Sequence, residues 1–135
     1  ENSHVLPALI RKVHTALTQG DPHITLWGSG TPLREFLYVD DLAEACLLAM
    51  EVWDQSGFLN VGYGSDLSIA ELAHIISEVL GYRGEIRLDP SKPDGTPRKL
   101  MDSSRIRSLG WAPRTPLPEG IALAYQDFLD RYPVE

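Results

Sequence analysis

The sequence has a single cysteine, Cys46, so no internal disulfide can form, and this agrees with a reducing compartment. It has no apolar run near the roughly 20 residues of a membrane span, and no signal-peptide pattern at its start. Positive charge is scarce: 12 Lys and Arg stand against 19 Asp and Glu, a net charge of −7. That balance argues against general nucleic-acid binding while leaving room for a local basic pocket. No paired Cys or His residues stand at metal-ligand spacing around His14, His23 or His74, so no metal is expected. No tyrosine is followed by Lys four residues on (Tyr38, Tyr63, Tyr82 and Tyr125 all fail), and no Ser/His/Asp or Cys/His set suggests itself. The chain alone is therefore expected to be inactive, to lack membrane and nucleic-acid partners, and to be cytoplasmic. With 135 residues, 43% of them hydrophobic, it is long enough for one domain with a real core, and opening on Glu1 it reads as part of something longer.

What is present alternates helical and extended patterns. Val5, Leu6, Leu9, Ile10, Val13 and Leu17 make a helical stripe over residues 5–19, with Pro7 in the first turn and Gly20 past the end. A short strand is predicted at 24–27, another at 35–39, and a helix at about 41–53 burying Leu42, Cys46, Leu47 and Met50. Asp41 with Glu44 reads as a capping box for that helix. A strand over 57–62 and a helix opened by Ser68 and Glu71, with core face Leu72, Ile75, Ile76 and Val79, follow. Then come a strand at 85–89, a proline-rich loop at 90–99, a short helix at 103–109 and a last helix burying Ile121, Ala124, Tyr125 and Phe128. The prediction is one small mixed α/β domain over residues 1–135.

Two stretches carry candidate chemistry. In Trp27-Gly28-Ser29-Gly30-Thr31-Pro32-Leu33-Arg34 an aromatic and an arginine flank a glycine turn. A ring face beside a guanidinium suits a ligand flat at one end and phosphorylated at the other. The glycines lack the third member of a dinucleotide fingerprint and lead into a strand, so a hairpin-type connection is the simpler reading of the turn. In Pro90–Lys99 the cations Lys92, Arg98 and Lys99 suit a diphosphate, and Asp94 suits sugar or ribose hydroxyls. A merely solvated loop is the competing reading on composition. His4, ahead of a helix start, is a candidate for proton transfer, although a plain terminal histidine would look the same. Asp40 and Asp41 imitate an acid pair, but capping and an internal ion pair explain them more simply.

The Arg34-Glu35-Phe36-x-x-Val39-Asp40-Asp41-Leu42 segment resembles the substrate-binding half of extended short-chain dehydrogenases/reductases. Asn2-Ser3-His4-Val5-Leu6-Pro7, the 27–36 stretch and Lys92-Pro93-Asp94-Gly95-Thr96-Pro97-Arg98-Lys99 narrow the likeness. They resemble the NADPH-dependent 3,5-epimerase/4-reductases of GDP-4-keto-6-deoxy-D-mannose. The resemblance implies the C-terminal, substrate-binding part of such an enzyme, without its N-terminal Rossmann domain, which would hold the nucleotide-binding glycines and the Ser/Tyr/Lys set. It implies a general acid at His4, also beside the nicotinamide. It further implies substrate contacts at Val5, Leu9, Lys12, Trp27, Arg34 and Lys99, with Asp94 a further contact, and a homodimer as the full-length form. Lys12 stands where relatives carry Arg, keeping charge without the bidentate fork. The segment from Trp53 to Gly57 is shorter than in those relatives. Two other readings stay open: the substrate domain of a different nucleotide-sugar epimerase or dehydratase, and a stand-alone binding module without catalysis. An exposed apolar surface is expected where the other domain would pack.

Overall fold

A computed structural model describes residues 4–132. Helix α1 runs Val5–Gln19 and ends because Gly20 takes a left-handed conformation, φ 71°, that closes the last turn. Ala16, rather than the expected Leu17, completes its buried stripe with Leu9, Ile10 and Val13. Strand β1 (His23–Trp27) follows, then β2 (Leu33–Arg34), α2 (Val39–Val52), β3 (Leu67–Ser68) and α3 (Ile69–Leu80). Strands β4 (Glu85–Asp89) and β5 (Arg98–Lys99), and helices α4 (Ser104–Ser108) and α5 (Leu117–Arg131), complete the described chain.

Two small sheets organise these elements. β1 pairs in parallel with β4, while β2 lies between antiparallel β3 and parallel β5. The expected hairpin at residues 28–32 is therefore a crossover between sheets. Its carbonyls are used: Gly30 O and Pro32 O accept from the amides of Ala70 and Ile69, which open α3. The turn thus satisfies donors that a helix N-terminus leaves unpaired. Ser68 and Glu71 form the predicted capping box at that same end. The main core joins α1, β1, α3 and α5 through Leu9, Val13, Ile24, Leu72, Ile76 and Ile121.

Three further expectations need correction. The strand expected at 35–39 ends at Arg34, and Val39 already begins α2. Residue 35 leaves the ladder because the Glu35 carboxylate accepts the amides of Gly64 (3.2 Å) and Met101 (2.7 Å). Residues 57–62 form no strand, since none of the described strands pairs with them and a strand needs a partner for its amides. Leu59 and Val61 pack against a second cluster of Ala45, Ile106 and Trp111, leaving Phe58 89% exposed.

The third correction concerns α2. Its expected inner face is its outer one: Leu42, Cys46, Leu47 and Met50 are exposed, and Asp41 and Ala45 are buried. Asp41 is no N-cap, a place Tyr38 takes, and it makes no ion pair among the described residues. Its carboxylate accepts the amides of Arg114 (3.2 Å) and Thr115 (2.9 Å) and the Thr115 hydroxyl (3.2 Å), ahead of α5. That demand turns the 41/45/48 stripe inward. The helix carries a second apolar stripe at 39/42/43/46/47/50, and periodicity alone cannot rank two stripes.

Candidate functional site

Two clefts open on the exposed side of α1. The first, about 590 Å³, lies at the helix start and gathers His4, Val5, Arg34, Phe36 and Lys99. The second, about 550 Å³, lies between α1 and β1 and includes Arg11, Lys12, Thr25 and Trp27. The spacing explains the division: His4 and Val5 begin α1, while residues 8, 11, 12 and 15 lie one to three turns along the same face. Leu9 instead faces the core, 6% exposed, and lines neither cleft. Asn2 and Ser3 of the His4 motif lie outside the described residues.

In the first cleft Arg34 and Lys99 are register partners on β2 and β5, which places two cations side by side. The Arg34 guanidinium is held from behind by the carbonyls of Leu33 and Thr96, both at 2.7 Å, and has further N–H groups to offer. Such anchoring removes much of the entropy cost of fixing a long cation on a ligand. His4 is the N-cap residue of α1, and its carbonyl accepts the Ala8 amide at 3.1 Å. In the second cleft Lys12 donates to the Thr25 carbonyl at 2.6 Å, tying α1 to β1. Trp27 is 70% exposed, and the Lys92 ammonium lies 5.7 Å from its ring centre, within cation–π range. A large ring left this open at the end of a core strand adds little to the packing of the core and leaves its face accessible to a ligand.

Trp27 and Arg34 therefore line separate clefts, not the single surface their spacing suggested. Of the three loop cations, Arg98 is taken: it holds Asp66 at 2.5 and 3.1 Å. That hydrogen-bonded pairing lowers the Asp66 carboxyl below its usual range and raises the Arg98 guanidinium. Asp94 lines neither cleft and turns to the 28–31 turn, with Oδ1 2.8 Å from the Ser29 amide and Oδ2 2.7 Å from its hydroxyl. Sequence reasoning did not single out Ser29 or Arg11. Both were visible only as ordinary turn and helix-surface residues. Among the described residues there is no cluster of His, Cys, Asp and Glu suited to a metal ion.

Residues 1–62 match the NAD dependent epimerase/dehydratase family. In structure, the chain superimposes on a GDP-L-fucose synthetase from Naegleria fowleri with a TM-score of 0.88 and 30% identity. The overlap covers 96% of this chain and 40% of that one. The same enzyme has been solved bound to NADP. The fold is thus that of a mixed α/β unit matching part of the extended short-chain dehydrogenase/reductase fold. Its curated homologues at about 50% identity are GDP-L-fucose synthases. A probable one from Oryza sativa subsp. japonica is 51% identical over 130 residues, covering 96% of this chain and 40% of the relative. That of Escherichia coli K12 is 50% identical, covering 96% and 43%. The chain thus spans about two-fifths of the length of these relatives.

Proposed function

We propose that this chain is the C-terminal, substrate-binding portion of an NADPH-dependent enzyme that epimerises and reduces GDP-4-keto-6-deoxy-D-mannose to GDP-L-fucose. The observation that supports it best is the pair of clefts sharing one face of α1. One offers an exposed indole with Lys12 and Arg11, and the other two adjacent cations and His4. A GDP-sugar spans such an arrangement with its base toward Trp27, its diphosphate toward the cations and its sugar toward His4. Val5 and Lys99 complete the sugar end. Epimerisation at C3 and C5 exchanges protons next to the 4-keto group, and His4 is the proton donor there.

NADPH does not fit the residues present. The glycine turn that most resembles a phosphate cradle leads into β2, and its first glycine faces the Asp94 carboxylate, which would repel phosphate. The cofactor and the Tyr/Lys pair belong to the N-terminal Rossmann portion that the relatives' greater length accommodates, and without it the chain is inactive. The outer face of α2 suits that portion: Val39, Leu47 and Met50 are 64, 61 and 83% exposed. A helix apolar on two sides belongs between two layers.

Calorimetric titration with GDP, with UDP as control, tests the binding half of this reading. The expected result is selective GDP binding that Trp27→Ala and Arg34→Ala each weaken. Indifference to both changes, or equal binding of UDP, refutes it. In a chain joined to its N-terminal portion, His4→Gln should lower epimerisation far more than GDP affinity. Equal losses would remove His4 from proton transfer.

A further inference from the structure

The segment carrying Lys92 is tied to the Trp27 turn at both ends. At the near end the Asp89 carbonyl accepts the amides of Gly28 (2.8 Å) and Lys92 (3.2 Å). The Asp89 carboxylate takes the Ser91 amide at 3.1 Å and its hydroxyl at 2.5 Å. At the far end Asp94 takes both donors of Ser29, at 2.8 and 2.7 Å. The Ser29 hydroxyl lies 2.7 Å from that of Thr31 and accepts the Thr31 amide at 3.2 Å, so the carboxylate holds the whole turn. Gly28, at φ 79°, makes room for this: a Cβ there would fall on the Asp94 carboxylate. Between the two ties sits Lys92, over the indole.

We propose that Asp94 is a positioning residue, which through Ser29 seats the Lys92 ammonium over Trp27 and so presets the aromatic–cation pair for the nucleotide diphosphate. The inference rests on the nucleotide-binding reading above. Simple electrostatics favours the opposite result. A carboxylate two residues from Lys92, at the turn beside Trp27, opposes an anionic ligand there, so its removal should improve binding if charge were all that mattered. Positioning requires a loss. The two readings differ in sign.

The test uses Asp94→Ala, Asp94→Asn, Ser29→Ala and Lys92→Ala, each titrated with GDP. Asp94→Ala should weaken binding about tenfold, the scale of one charge-assisted hydrogen-bonded link. An asparagine amide oxygen would still accept the Ser29 amide while the charge is lost, so Asp94→Asn should stay within about twofold of the parent. Ser29→Ala should fall between them. In the Lys92→Ala background, Asp94→Ala should have no further effect, because the group it positions is gone. Tighter GDP binding by Asp94→Ala, or additive losses with Lys92→Ala, overturns the proposal. The upfield ring-current shift of the Lys92 methylenes, read by NMR without nucleotide, separates the two layers. Its persistence in Asp94→Ala sinks the clamp whatever GDP does. Its loss, together with GDP binding indifferent to Trp27→Ala, leaves the clamp standing but overturns its nucleotide role and the nucleotide reading alike.

Discussion

Asp41→Ala removes the buried carboxylate that joins α2 to the start of α5. That carboxylate belongs to a residue 4% exposed and accepts two amides and one hydroxyl. Truncation leaves the Arg114 and Thr115 amides facing a void, at about 1–3 kcal/mol for each buried unsatisfied donor. Allowing for relaxation and water entry, the net loss should be about 3–4 kcal/mol, a large share of the roughly 5–15 kcal/mol available to a typical domain. For a domain of this size that corresponds to a fall in melting temperature on the order of 10–15 °C. Asp41→Asn should recover more than half of the loss, because its amide oxygen still accepts from the two backbone N–H groups. Thermal unfolding followed by far-UV circular dichroism reads both variants. A loss below about 1 kcal/mol for Asp41→Ala would refute this bridging role and return Asp41 to an ordinary helix-surface acid.

Gly28→Ala combines a left-handed backbone with a Cβ on the Asp94 carboxylate, and should cost about 1–3 kcal/mol in urea denaturation. Unchanged stability would mean that the Asp94 tie is not formed. Met50→Glu, at a site 83% exposed, should leave stability within about 0.5 kcal/mol and reduce self-association in sedimentation. Marked destabilisation would show that α2 is covered within this chain. Acid should destabilise the fold through a defined set of carboxylates. The Ser68 amide and hydroxyl lower Glu71, the Arg98 hydrogen bond lowers Asp66, and the Ser91 hydroxyl lowers Asp89. A depressed folded-state pKa adds stability above the unfolded value of about 4, and that stability disappears as pH falls through the folded value. Glu71→Gln should therefore flatten part of the stability slope below about pH 4.5. An unchanged slope would separate Glu71 from the capping box.

Much of this protein is local and could be read from the chain. α1 and α3 end at Gly20 and Gly81 because each needs a left-handed residue, and α3 begins at Ser68 because its hydroxyl and Glu71 satisfy each other's neighbours. The residues later found at the two clefts, from His4 and Lys12 to Trp27, Arg34 and Lys99, stand out as aromatic and cationic groups beside turns and helix starts. Other features depend on partners distant in sequence, which no local pattern contains. Which stripe of α2 turns inward was decided by amides 73 and 74 residues away that claimed Asp41. The strand-like 57–62 segment stayed outside the sheets for lack of a neighbour, since β-pairing is a property of two segments and not of one. Asp94 was legible as an acid in a stiff loop. Only the folded chain, with Ser29 arriving from 65 residues earlier, shows which donors reach its carboxylate.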